Sequence, residues 1–277
     1  MKFLLWKGKV KRKNRNNYRL YVINYLILRI SKNNQNEMRL KLELQKINGT
    51  ALPINYQYEL SAWIYKMLHF GNAEFAEWLH THGYSFQNKK FKLFTFSRLN
   101  FSKFKIIEDR LQLLEDKASL VISFYIDKAV QHFIEGVFRN QKFGLGDKKS
   151  NVDFLISSVE CLPEPVFTGN DIFRCISPIC ISEPVSSGTK LSARFVSPDE
   201  KEYGQLVLNN LLNKYLAATD GTEEKRVIDL SGKPPAIQIV SEAKSKLITI
   251  KANTQQQTKV RGYEFDFKIT APVELIK

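Results

Sequence analysis

From Met38 to Leu44, apolar and charged side chains alternate without a break, Met38, Leu40, Leu42 and Leu44 against Arg39, Lys41 and Glu43. This is the period-2 signature of a strand with one buried face. The period then changes. After the Leu52-Pro53 turn, Tyr56, Leu60, Trp63, Ile64, Met67 and Leu68 recur at helical spacing and predict a helix with one apolar face. Tyr65 falls near the opposite side, with Tyr58, Ser61 and His69. A second short helix from Ala73 to His82 places Phe75, Leu79 and His82 on its apolar stripe and His80 on its flank, and Gly83 ends it. Strands from Phe91 to Ser97 and from Leu120 to Ile126 follow. Asp127 then caps a helix whose Val130, Phe133, Ile134, Val137 and Phe138 face inward, ending near Arg139-Asn140. A strand from Val152 to Glu160 closes the unit. The order strand, helix, two strands, helix, strand is the ferredoxin-like split βαβ arrangement.

The second half repeats that arrangement. Ile172 to Ile181 predicts a strand interrupted by Pro178, and Ser197-Pro198-Asp199-Glu200 has the form of a capping box opening a helix through Tyr203, Leu206, Val207 and Leu211 toward Tyr215. Ala236 to Ser241 and Lys246 to Lys251 are further strands. Tyr263, Phe265, Phe267 and Ile269 alternate with Glu264, Asp266 and Lys268, and Pro272 to Ile276 gives the first turn of a last helix, where the chain stops. The fold class expected is α+β, two tandem ferredoxin-like (RRM-like) domains over residues 38–165 and 166–277, the second incomplete at its C-terminus. Residues 1–37 show no clear period and are expected to be a basic extension, disordered or upstream of the natural start.

Charge sharpens this picture. The chain of 277 residues carries a net +14, of which +9 lies in residues 1–37, where ten Lys or Arg face Glu37 alone. The remainder is only mildly basic at +5, so charge by itself leaves a nucleic-acid ligand and a solvated basic tail evenly balanced. The longest apolar run, Leu20 to Leu28, is broken by Asn24 and bounded by Arg19 and Arg29, well short of the roughly 20 residues of a membrane span. Neither a membrane segment nor a signal peptide is expected, which points to the cytoplasm. Cys161, Cys175 and Cys180 form no C-x-x-C pair and are expected to be free thiols in a reducing compartment.

Candidate chemistry concentrates in the first domain. RNA cleavage by internal attack needs a proton removed from a 2′-hydroxyl, a proton given to the departing 5′-oxygen, and charge stabilised on the phosphorane. Histidine and tyrosine suit the proton transfers and lysine the charge. His69, His80, His82 and His132 form neither an H-E-x-x-H nor a Cys/His pattern, so no metal site and no cofactor are expected.

The run Leu52-Pro53-Ile54-Asn55-Tyr56-Gln57-Tyr58-Glu59-Leu60 into Ile64-Tyr65, then Leu79-His80 and Phe91-Lys92-Leu93-Phe94-Thr95-Phe96-Ser97, resembles the CRISPR-associated endoribonucleases of the RAMP superfamily that cut repeat RNA into guides. Weaker landmarks extend the resemblance over most of residues 38–277: Gly144-Leu145-Gly146, Ser177-Pro178-Ile179, Asn209-Asn210-Leu211 and Lys259-Val260-Arg261-Gly262-Tyr263. The resemblance implies Tyr65, His80 and Lys92 as catalytic residues, with Lys92 on the scissile phosphate and the base and acid roles of Tyr65 and His80 interchangeable. It implies Lys259 and Arg261 as RNA-binding residues. His82 is read instead as a core or helix-capping residue. Family members continue past a P-x-E-L helix into a glycine-rich loop that approaches the RNA backbone. The resemblance thus marks Lys277 as a truncation point and puts the activity of this chain in question.

The function expected is metal-independent endonucleolytic cleavage of CRISPR repeat RNA by 2′-hydroxyl attack. The alternative is a catalytically inactive repeat-RNA-binding subunit of a CRISPR effector complex. Partners expected are the repeat RNA, an effector complex and a second copy in a homodimer.

Overall fold

The computed structural model describes residues 38–187, 190–219, 234–250, 255 and 257–277. The expectations for residues 1–37 and for Lys251 lie outside the described residues. The described chain divides into two compact units, one of residues 38–84 and 92–164 and one gathering Ser85–Phe91 with Pro165–Lys277.

In the first unit, β1 (Met38–Asn48) is followed by α1 (Gln57–Gly71), α2 (Ala73–Thr81), β2 (Phe94–Phe96), β3 (Lys117–Phe124), α3 (Asp127–Arg139), β4 (Lys142–Gly146) and β5 (Asn151–Leu162). The sheet runs β4-β5-β1-β3-β2, antiparallel at each pairing, and Asn100–Phe101 also pairs with β3. Without the edge strand β4, this is the ferredoxin-like order. Strict alternation on β1 sends Leu40, Leu42 and Leu44 inward beneath the helices. Between Glu43 and Leu44 the register to β5 shifts by one residue, and the Ser157 hydroxyl donates to the Glu43 carbonyl at 3.0 Å.

Helices α1 and α3 cross with almost no space between their backbones. A methyl group at Gly136 would overlap the Met67 carbonyl, and one at Gly71 would overlap the His132 carbonyl. Aromatic rings fill the layer around this crossing: Trp63 stacks on Phe143 at 4.2 Å, and Phe124 lies 5.3 Å from Phe133. His132 is buried in the same layer at 9% exposure, 5.0 Å from the Phe75 ring, and neither ring nitrogen has a hydrogen-bond partner.

Burial pushes the His132 imidazole below its usual range, opposed by Glu135 and assisted by Lys128. The folded protein therefore keeps His132 neutral to a lower pH than the unfolded chain, which protonates it below about pH 6.5. Stability should fall as the pH drops through that value, because the unfolded state binds the extra proton. Urea melts at pH 7.5 and pH 5.5 should show a smaller loss in His132→Phe than in the parent. An equal loss in both would assign the acid sensitivity elsewhere.

Several local expectations are corrected. The N-cap of α3 is Ile126, and Asp127 is the first helical residue, where its charge complements the helix dipole. The strand expected from Phe91 to Ser97 is split at Lys92-Leu93, Phe91 ending a strand of Lys89–Phe91 and β2 covering Phe94–Phe96, because Leu93 takes a φ of 52° and breaks the extended run. His82 is exposed, so it is no core residue; it occupies the C-cap of α2. A small sheet, Ala51–Pro53 beside Arg110–Leu113 beside Phe104–Ile107, was not anticipated. Arg110 anchors it by an ion pair to Asp147 at 2.8 Å.

The second unit holds β6 (Asn170–Arg174), the hairpin β7 (Ser182–Ser187) and β8 (Lys190–Phe195), α4 (Tyr203–Thr219), β9 (Ala236–Ile239), the hairpin β10 (Lys244–Ile250) and β11 (Thr258–Glu264), β12 (Asp266–Thr270) and α5 (Val273–Ile276). Strands β6-β12-β9 form an antiparallel sheet, three of the four ferredoxin positions, with Leu208, Tyr215, Ile269, Ala271 and Leu275 in one core cluster. The β7–β8 hairpin was missed in a segment containing Pro184. The run from Ile172 to Ile181 is strand only to Arg174, and Ile179 returns as a single bridge to Tyr263. The alternation from Tyr263 to Ile269 spans two strands, since the chain changes partners at buried Phe265: β11 pairs with β10, β12 with β6 and β9. Glu200 does accept from the Ser197 amide at 2.7 Å, yet this closes a turn, and α4 starts later, at Tyr203.

Candidate active site

The site is built on the α1–α2 hairpin. Leu60, Trp63, Ile64, Met67 and Leu68 bury one face of α1, which leaves Tyr65 about 130° from the centre of that face in the helical projection, yet half-buried. Asn72 ends α1 in an extended conformation and caps α2, its side chain accepting from the Phe75 amide at 2.8 Å. This one-residue connection folds α2 back so that His80, in its last turn, meets Tyr65. The two rings lie 5.4 Å apart at 86°. Residues 15 positions apart in sequence thereby become neighbours.

Phe94 on β2 completes the setting, its ring 5.6 Å from Tyr65 and 5.7 Å from Phe124. Tyr65 is thus wedged between the half-buried Phe94 ring and an exposed imidazole. Burial raises its phenol above the usual range, so at neutral pH the hydroxyl keeps its proton and can donate a hydrogen bond.

Lys92 approaches from the segment before β2. Its ammonium donates to the carbonyls of Leu79 at 2.5 Å and His80 at 2.8 Å. These are among the last carbonyls of α2, which have no partner within the helix, and a cation there also complements the helix dipole. The structure therefore brings Tyr65, His80 and Lys92 together, and adds a geometric fact that sequence spacing did not show: Lys92 grips the backbone of the residue that carries the imidazole. The positive φ of Leu93, which breaks the expected strand, is adjacent to that grip.

His82 lies two residues beyond His80, its Nδ1 2.8 Å from the Thr81 hydroxyl. His69, exposed on α1 one turn after Tyr65, is a second imidazole on the same helix face. Among the described residues, no three His, Cys, Asp or Glu side chains gather into a set able to hold a metal ion, and no helix is long and apolar enough to cross a membrane.

Lys259 and Arg261 belong to the second unit. Both are exposed on β11 at alternate positions and so share one face of the β10–β11 hairpin. The Arg261 guanidinium donates to the Ser245 hydroxyl at 3.2 Å.

Comparison with known proteins gives consistent matches. The family model for CRISPR-associated protein Cas6, N-terminal, matches residues 51–160, and that for CRISPR associated protein Cas6, C-terminal, matches residues 162–277. CRISPR-associated endoribonuclease Cas6 1 of Methanocaldococcus jannaschii is 32% identical over 180 residues, which are 65% of this chain and 66% of that relative, just under two thirds of its length. A CRISPR-associated endoribonuclease-like protein Cas6 of Pyrococcus furiosus is 27% identical over 237 residues, 83% of this chain and 93% of the relative. Among solved structures, one described as CRISPR associated protein Cas6 superposes with a TM-score of 0.64 at 28% identity, covering 87% of this chain and 90% of that one.

Proposed function

This chain belongs to the Cas6 family of CRISPR-associated proteins, and from that premise we propose that it is an endoribonuclease that cuts CRISPR repeat RNA without a metal ion. The 2′-oxygen at the scissile nucleotide loses its proton and attacks the adjacent phosphorus. The bond to the 5′-oxygen breaks, and that oxygen takes up a proton. One product ends in a 2′,3′-cyclic phosphate and the other begins with a 5′-hydroxyl.

The observation that carries this reading is the edge contact between Tyr65 and exposed His80, with the Lys92 ammonium held at the His80 carbonyl. His80 exchanges a proton with the reacting oxygens. Tyr65, kept protonated by burial, donates a hydrogen bond to a phosphoryl oxygen or to the leaving oxygen. Lys92 holds the end of α2 in place and brings its charge to the phosphate's side of the site. Preorganised charge and donors of this kind act on the developing phosphorane anion more than on the ground state. Lys259 and Arg261 contribute phosphate contacts elsewhere along the RNA.

A repeat RNA with a single 2′-deoxy sugar at the scissile position tests the mechanism. It should bind as the all-ribose RNA does and remain uncut, while the all-ribose RNA is cut equally well in EDTA. Cleavage of the deoxy substrate, or restoration of cutting only by added magnesium, would overturn the proposed route.

A further inference from the structure

We propose that Tyr58 forms a stacking subsite for one nucleobase of the RNA, a step or two along the strand from the scissile phosphate. The inference rests on the nuclease reading for the place of the scissile phosphate and deepens it by naming what holds the neighbouring nucleotide.

Tyr58 is 53% exposed, while Leu60, Trp63, Ile64, Met67 and Leu68 of α1 are buried. It precedes Tyr65 by seven residues. At 100° per residue that spacing returns to within about 20° of the same direction, and at 1.5 Å rise the two side chains stand about 10 Å apart along α1. Ser61 lies between them on the same strip, and His69 extends it one turn past Tyr65. The strip therefore runs from an exposed phenol ring, past the Tyr65–His80 pair, to an exposed imidazole. Tyr58, Ser61 and His69 stand outside the buried face of α1.

The start of α1 is fixed from its other, buried side. The Tyr56 hydroxyl accepts from the Leu99 amide at 2.8 Å, which pins the segment after β2 against the start of α1. An exposed π-face on the same strip as the proposed reacting groups is what a splayed base of single-stranded RNA stacks on. Stacking of this kind tolerates any base, so the subsite supplies affinity and register and leaves base identity unread.

The test is a double-mutant cycle on binding, using repeat RNA made uncleavable by the 2′-deoxy sugar. Tyr58→Ala is expected to weaken binding about 5- to 150-fold, with Tyr58→Trp restoring it and an unchanged melting curve showing that the fold is intact. Placing an abasic nucleotide at each position near the scissile phosphate in turn should reveal one position where the abasic loss and the Tyr58→Ala loss are not additive. A 2-aminopurine at that position should be quenched by the parent and not by Tyr58→Ala. Independent losses at all positions, or parental affinity in Tyr58→Ala, would overturn the subsite. The outcomes separate the two proposals: RNA bound with this coupling but never cut leaves the subsite standing and removes the nuclease reading. His80-dependent cutting without the coupling does the reverse.

Discussion

Replacing His80 with alanine is expected to slow single-turnover cleavage of repeat RNA by about 10²–10⁴-fold while leaving a gel shift of the same RNA in place. The size follows from what one positioned proton-transfer group contributes, and corresponds to about 3–5 kcal/mol of barrier. The fold should survive the change. His80 is exposed, its backbone carbonyl stays available to Lys92, and Tyr65 remains packed on Phe94. Tyr65→Phe is the companion variant, because it keeps the ring in its contacts with His80 and Phe94 and removes only the hydroxyl. His82→Ala is the control. That imidazole is exposed two residues away and engages the Thr81 hydroxyl, so general loss of histidine near the end of α2 is separated from loss of the one facing Tyr65. Cutting by His80→Ala at the parental rate would remove the mechanism, whichever way the binding experiment came out.

What could be read from the sequence was whatever one element decides alone. Alternation on β1 and the apolar stripes of α1 and α3 state which faces are buried, and the structure buries Leu40, Leu42, Leu60, Ile64, Phe133 and Val137 accordingly. What depends on two elements was less legible. The helix after Ser197 starts at Tyr203 because Pro198 and Glu200 close a turn first, and a local capping signature does not distinguish the two outcomes. The unbroken alternation from Tyr263 to Ile269 conceals a change of sheet at Phe265, since period 2 survives when a strand exchanges partners without losing its extended conformation.

The site followed the same division. Spacing alone puts Tyr65 off the apolar face and His80 on a flank, but it was the resemblance to repeat-processing nucleases that joined them with Lys92. The physical link is the one-residue Asn72 connection and the lysine at the helix end, neither of which has a periodic signature. Lys92 in an expected strand looked like a solvated cation. Its bonds to Leu79 and His80 lie next to the break at Leu93, which only the folded backbone reveals.

Gly136→Ala is expected to destabilise the first unit severely, against the direction that helix propensity predicts. In an isolated helix the change would gain about 1 kcal/mol. Here the new methyl overlaps the carbonyl of Met67 in the facing helix, and the obstacle is backbone, which cannot rotate away as a side chain does. Overpacking commonly costs about 1–3 kcal/mol, and more where neither partner can yield; the whole stability of a domain is about 5–15 kcal/mol. The net effect should appear as a large shift of the thermal or urea midpoint, with Lys128→Ala on the exposed side of α3 as a propensity control that moves it little. Cleavage should fall in parallel, because Met67 is two residues from Tyr65 and pushing α1 off α3 displaces the phenol from its place beside His80 and Phe94. The two lesions are then distinguishable: His80→Ala loses cutting with an unchanged melt, whereas Gly136→Ala loses both together. If Gly136→Ala raised the midpoint instead, the close α1–α3 crossing that positions Tyr65 would be wrong.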